Sequence, residues 1–506
     1  MTEQDPSKNT PAELSSNEIA AGGPVPGDLS LLEEELAISA EVASPGFFPS
    51  INAAEVADAS RSAFFPNAHF TGSFNGPNQV YAWRSETKYQ GCTYINNRRP
   101  GELYIVGGDF PPIEGPVPPG PFISKADATT GREIWRTYVD NANVTKRFIG
   151  NGNLNILDNG NIPFSWGTQV VLIDGDTGQI LKHQNLPTGQ APAEDANFKH
   201  LCILPDRTLL LKCQVRPTGE TGQGTAAIIH GIQKGLKQPP SYVVAVEPDT
   251  LEILDEIQLE EPSSAPHAID VIDGRIVAYC PQDSGMVRIA WDPRAKKLSF
   301  DNWFAKPIRP GQTTTAAATL MGEWVAMQTN GAGSDKIAST IAVAHRDDAS
   351  RMIDVFPFGQ LEKGQFSFCM PKPGGDPENQ MIYSADQGIE KVAGIKLDQK
   401  TGKLEVVFVV DNNTNTFQGV IGPKDKRVLL MSDAVKDDPS LPMIKAFWSG
   451  AYTERVTWRD AATGRLLAAS DCFDPLTPNS LVTPGFGGRI YFPTLKEFIV
   501  MQVLPK

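Results

Sequence analysis

One pattern of apolar and polar positions recurs along the chain. A β-branched or apolar run is followed by an acidic residue, a short polar turn ending near Thr-Gly, and a second apolar run. It is clearest in residues 122–135, where Asp127-Ala128-Thr129-Thr130-Gly131 divides the two runs, and it returns at 170–181, 242–253, 394–404 and 456–466. Shorter forms occupy 287–294 and, degenerate around His345, 341–348. Alternating apolar residues mark a half-buried strand. Asp and Thr side chains bond the turn backbone and Gly supplies a positive φ, so each copy predicts a β-hairpin. Between the hairpins lie further strand-like runs such as Leu209-Leu210-Leu211 and Ile276-Val277-Ala278. Two hairpins make a four-stranded unit, and such units stacked radially are the blades of a β-propeller. The competing β-solenoid has much shorter repeats.

Seven units run from about residue 91 to residue 470, and three more strands follow at 480–483, 489–493 and 497–503. The run Asn78-Gln79-Val80-Tyr81-Ala82-Trp83-Arg84 precedes the first unit. The expected fold is therefore all-β, a single propeller of eight four-stranded blades. An N-terminal strand completes the last blade and leaves no exposed edge. Seven blades is the alternative if the His345 unit is not a blade of its own. Residues 1–55 are expected to form a disordered or partly helical tail, with the helical run beginning at Leu31, and residues 56–506 the propeller. The 45 Gly and 41 Pro agree with many short elements.

The stretch Asp127 to Trp135 resembles the repeat motif of the quinoprotein alcohol dehydrogenase-like propellers, also called PQQ-like repeats. The resemblance covers about residues 78–506 and implies that Trp135 docks between blades. The copies at Asp174–Gly178, Asp398–Gly402 and Asp460–Gly464 keep the Asp and Thr-Gly without that Trp. Quinone-dependent members are exported and calcium-bound, and many carry an adjacent Cys pair. No two of the six Cys here are adjacent, so pyrroloquinoline quinone is not expected. The fold also hosts scaffolds and unrelated enzymes, so the resemblance implies architecture more than activity.

Charge narrows the partners. Asp and Glu number 59 against 45 Lys and Arg, a net charge of −14. An acidic chain repels polyanions, which argues against nucleic acid and anionic membrane. No stretch approaches the roughly 18 apolar residues of a membrane span. The first 30 residues lack the basic and apolar regions of a secretory signal, so a cytoplasmic location with reduced thiols is expected. A small-molecule ligand is the expected partner, with protein recruitment through the N-terminal tail as a second expectation.

Propellers place function on the channel axis, where the innermost strands begin. Residues 200–213 and 267–280 align without a gap, so that His200 and His267, Asp206 and Asp273, and Cys213 and Cys280 fall at equal offsets. The aspartates belong to turns and the thiols to the core. The His pair, with Lys199 and Arg147, reads as a catalytic acid/base set at the channel mouth. It also reads as two ligands of a divalent metal, with His69 as a third. Repeat ancestry is the bland alternative, each His then bonding a backbone carbonyl. Tyr94, Asn197, Thr314 and Gln418, near the starts of other inner strands, are candidate substrate contacts. Three functions stay open: a small-molecule enzyme or ligand binder, a non-catalytic interaction scaffold, and a quinone-dependent dehydrogenase.

Overall fold

The computed structural model describes residues 24–108, 120–139, 148, 152–369, 373–414, 419–477 and 480–506. The recurring hairpin folds as its side chains dictate. In the first copy Asp127 Oδ1 accepts from the backbone N–H of Thr129 and Thr130 and from the Thr130 hydroxyl, and Gly131 takes φ +68°. Asp174, Asp398 and Asp460 cap their turns in the same way, with Gly178, Gly402 and Gly464 at φ near +75°. Where Gly is missing the turn persists with Leu251 at φ +62° and Lys296 at φ +52°, a strained region for residues with a Cβ.

Eight four-stranded antiparallel units result, one of them extended by a fifth, parallel strand. Their innermost strands, from blade one to blade eight, are Tyr94–Asn97, Asn153–Leu154, Ala196–Ile203, Ala268–Ile272, Thr319–Met321, Gly374–Asp376, Gly419–Ile421 and Thr483–Pro484. The His345 unit is a full blade, the fifth, so the count is eight. Asn78–Arg84 pairs antiparallel with Phe498–Pro505 and is the outermost strand of blade eight, which closes the ring as expected. Aromatic side chains staple neighbouring blades at the hairpin turns. Trp135 Nε1 donates to Asp176 O of blade two, and Trp324 Nε1 to Gln399 O of blade six. A Cβ at Gly178 or Gly402 would strike those indoles, at 2.7 Å and 2.3 Å. The turn glycine thus serves both the positive φ and the close approach of the ring.

The N-terminal residues bring the main departure from expectation. Residues 47–65 do not belong to a tail: they thread the interior of the ring. The inner strands present their free edge to the axis, and this segment answers them one after another. Asn97 N–H bonds Asn52 O, Ile156 bonds Ala53, Ile269 bonds Ala59, Gly375 bonds Ser62 and Val420 bonds Ala63. Phe64–Phe65 then runs parallel to Gly419–Ile421 as the fifth strand of that sheet. The expected boundary at residue 56 therefore cuts a continuous buried plug. Composition misled here, because Ala, Ser and Asn in this stretch are small enough to fill an axis without making an amphipathic pattern.

A helix, α1 (Leu32–Val42), lies before the plug, with Glu33, Glu34 and Glu35 favourably placed in its first turn. It docks on the ring itself: Glu35 is fully buried and its Oε2 accepts from Gly487 N–H at 2.7 Å. Residues 1–23 lie outside the described residues.

Closure makes a direct forecast. Val80 is buried in the last strand of the ring. Val80→Asp would place an unpaired charge there and is expected to cost more than about 3 kcal/mol in urea unfolding. Gln79→Asp, at a partly exposed position of the same strand, should cost well under half as much.

Candidate functional site

The plug bonds the inner strands along the axis and forms a floor beside them. Two of those plug residues are charged and buried, Glu55 and Arg61, and they pair through Arg61 Nη1 and Glu55 Oε2. Tyr94 Oη donates to Glu55 Oε1 at 2.8 Å and Asn153 Nδ2 to Oε2 at 2.5 Å. Arg61 Nη2 reaches Leu201 O at 3.1 Å, tying the floor to blade three. Burial alone would raise Glu55, but the charges of Arg61 and Lys199, with the bonds from Arg61 and Tyr94, hold its carboxyl below the ordinary range.

His200 and His267 stand beside this floor. In blade three His200 stands opposite Lys212, in the register that runs unbroken from Ile203 and Leu209, and the register slips only before it, between Asn197 and His200. Lys212 Nζ donates to Ser263 O at 2.6 Å, in the connection that leads to blade four. That face of the strand therefore looks into the seam between blades three and four. His267 ends the same connection, immediately before Ala268–Ile272. The gapless alignment had matched Cys213 with Cys280, but blade three pairs Ile203 with Leu209 where blade four pairs Ile272 with Arg275, and this longer turn gives His200 a Lys for its cross-strand neighbour.

Both imidazoles are wholly buried, and none of their four ring nitrogens has a hydrogen-bond partner. Burial first, and then the charges of Lys212, Lys199 and Arg61 and the nearby His267, hold His200 well below its ordinary value. Burial, Arg61 and Lys212 do the same for His267. Burial also brings the Lys212 ammonium down to about 8. No ion pair joins Lys212 among the described residues.

The other expected site residues disperse. Asn197 Oδ1 accepts from Gly167 N–H at 2.7 Å, which fastens it to blade two. Thr314 lies in the approach to blade five and its carbonyl accepts from Gly331 N–H. Tyr94 joins the floor through Glu55, and Lys199 is buried beside it. Arg147 and Gln418 lie outside the described residues. His69 is not a companion of the other two. Its Nδ1 meets Glu35 Oε1 at 3.2 Å beside α1 and the blade-eight turn, across the ring from the His pair. The expected metal trio is thus not assembled, and no cluster of three His, Cys, Asp or Glu fit for a metal is found among the described residues. Glu55, Arg61, Asn153 and Lys212 were missed. Lys212 had a readable signal, a lone charge in the apolar run 209–213.

Two buried neutral histidines make stability depend on pH. The unfolded chain takes up protons near 6.5 while the folded rings resist them. The contribution is therefore complete above about pH 6.5 and is lost as pH falls below it. Urea midpoints measured from pH 7.5 to 5 should fall, and His200→Leu should flatten that slope.

No protein-family model matches the chain, and no functionally curated protein matches it in sequence. Solved structures match it in fold. A quinohemoprotein alcohol dehydrogenase from Pseudomonas putida superposes with a TM-score of 0.55 at 9% identity, over 93% of this chain and 82% of that one. The quinohemoprotein alcohol dehydrogenase of Comamonas testosteroni gives 0.53 at 11%, over 94% and 85%. A europium-containing methanol dehydrogenase gives 0.54 at 8%, over 90% of each. The adjacent Cys pair that many quinone-dependent members carry has no counterpart here, since no two of the six cysteines are adjacent. The chain has the eight-bladed fold of the quinoprotein alcohol dehydrogenase-like propellers.

Proposed function

We propose that the protein holds a small molecule at the axial end of the seam between blades three and four, with His200 and His267 as its hydrogen-bonding and proton-accepting groups. The observation that carries this reading is the pair of buried imidazoles without partners. Buried polar groups in folded proteins are almost always satisfied. Each one left unpaired costs about 1–3 kcal/mol, and a bound molecule that meets the rings would offset that cost. Rings held below their ordinary range stay neutral at pH 7, so each keeps one nitrogen able to accept a proton. Lys212 beside them can donate. That set suits acid/base chemistry on a bound substrate and equally suits reversible binding.

His200→Leu and His267→Leu separate this reading from repeat ancestry. Leucine keeps much of the volume and removes the unpaired nitrogens, so the ligand-free variants should melt at or above the parent temperature. Native mass spectrometry after incubation with the small-molecule fraction of the host's extract should show a bound mass on the parent and none on either variant. Equal adducts on all three proteins would sink the reading. So would a loss of about 1–3 kcal/mol in the variants with no change in adduct, the signature of rings bonded to the protein itself.

A further inference from the structure

The charges around the two rings do not balance. Arg61 is answered by Glu55, which spends its remaining capacity on Tyr94 and Asn153. The Lys212 ammonium is fully buried, bonds one carbonyl oxygen and has no carboxylate partner among the described residues. The groups that act electrostatically on it include two further cations, Arg61 and Lys199, and two thiols, Cys280 and Cys213. Both thiols are themselves buried, and burial pushes their titration upward, to about 12 and about 11, so neither supplies a negative charge near neutrality. A buried ammonium is normally paired, because an isolated charge in a low-dielectric interior is heavily penalised. Lys212 thus lacks a counter-charge among the described residues, inside a protein whose net charge is −14.

Resting on the small-molecule reading above, we propose that the ligand carries an oxyanion, a carboxylate or a phosphate group. Its charge faces Lys212 Nζ, and its oxygens accept from whichever ring nitrogens of His200 and His267 carry the proton. Lysine offers a compact point charge with three donors, and an imidazole N–H adds a directed one. The ammonium already spends one donor on Ser263 O, which fixes its position in the seam and leaves two for the ligand. An uncharged sugar or alcohol could satisfy the rings and would still leave the ammonium unanswered.

The test is thermal melting of the full chain at constant ionic strength and pH 7 with inorganic phosphate, succinate or glycerol, run on the parent, Lys212→Met and His200→Gln. A saturable rise in melting temperature with phosphate or succinate is expected, and which of the two raises it identifies the source of the oxyanion. Lys212→Met should weaken that binding by about ten- to a hundredfold, since a bond to a charged group is lost. His200→Gln keeps a donor and should weaken it less. A saturable, His200-dependent rise with glycerol and none with either anion would overturn the oxyanion and leave the small-molecule reading standing. No rise with any probe, together with unshifted His ring resonances in the parent, would remove both. A rise with the anions that is equal in Lys212→Met would place the anion elsewhere and overturn the proposal.

Discussion

A propeller pairs its strands within each blade and leaves the innermost strand of each with one free edge facing the axis. Those N–H and C=O groups must be satisfied by water, a ligand or protein. Here the chain supplies the answer from its own N-terminal side. Residues 47–65 bond in turn to the inner strands of blades one, two, four, six and seven, and Arg61 adds blade three through Leu201 O. This one segment converts an open ring into a ring with a floor. Because its bonds are made by backbone, the plug tolerates small side chains, and the few large polar ones it carries, Glu55 and Arg61, are the ones that face the inner strands.

The floor sets the electrostatics of what stands beside it. Glu55 and Arg61 neutralise one another, and buried ion pairs of this kind seldom add much to stability over an apolar replacement. Their consequence is local: Arg61 lies close enough to both imidazoles to help keep them neutral, and Glu55 is already committed and cannot serve Lys212. The cationic character of the blade three–four seam therefore follows from how the plug is threaded as much as from the blades.

The architecture was legible because it is written locally. Each Asp and Thr-Gly turn is formed by side chains within five residues of one another, and the Trp135 staple is set by the same short stretch. Ring closure was legible because a blade short of one strand and an unassigned strand at 78–84 have a single economical solution. The site was half legible. The two His of the alignment lie in adjacent blades, but both are wholly buried rather than set at an open channel mouth. The longer turn between Ile203 and Leu209 was invisible, since a gapless alignment hides a difference in turn length, yet it decides that His200 faces Lys212. The plug was invisible for a different reason. Its order comes from partners 39 or more residues away, and nothing in Asn52-Ala53-Ala54-Glu55 announces a strand or a helix.

A second buried polar cluster shows why the unpaired groups at the blade three–four seam carry weight. Asp386 of blade six is as buried as Lys212, and burial raises its carboxyl. Its oxygens accept from the hydroxyls of Ser339 and Ser367 and from the backbone N–H of Phe368, Gly388 and Ile389. That arrangement is what a fold builds when a buried charge has only a structural duty: every lone pair is met from within the chain, across a seam between blades five and six. Between blades three and four, by contrast, four imidazole nitrogens have no partner and the Lys212 ammonium has no counter-charge among the described residues.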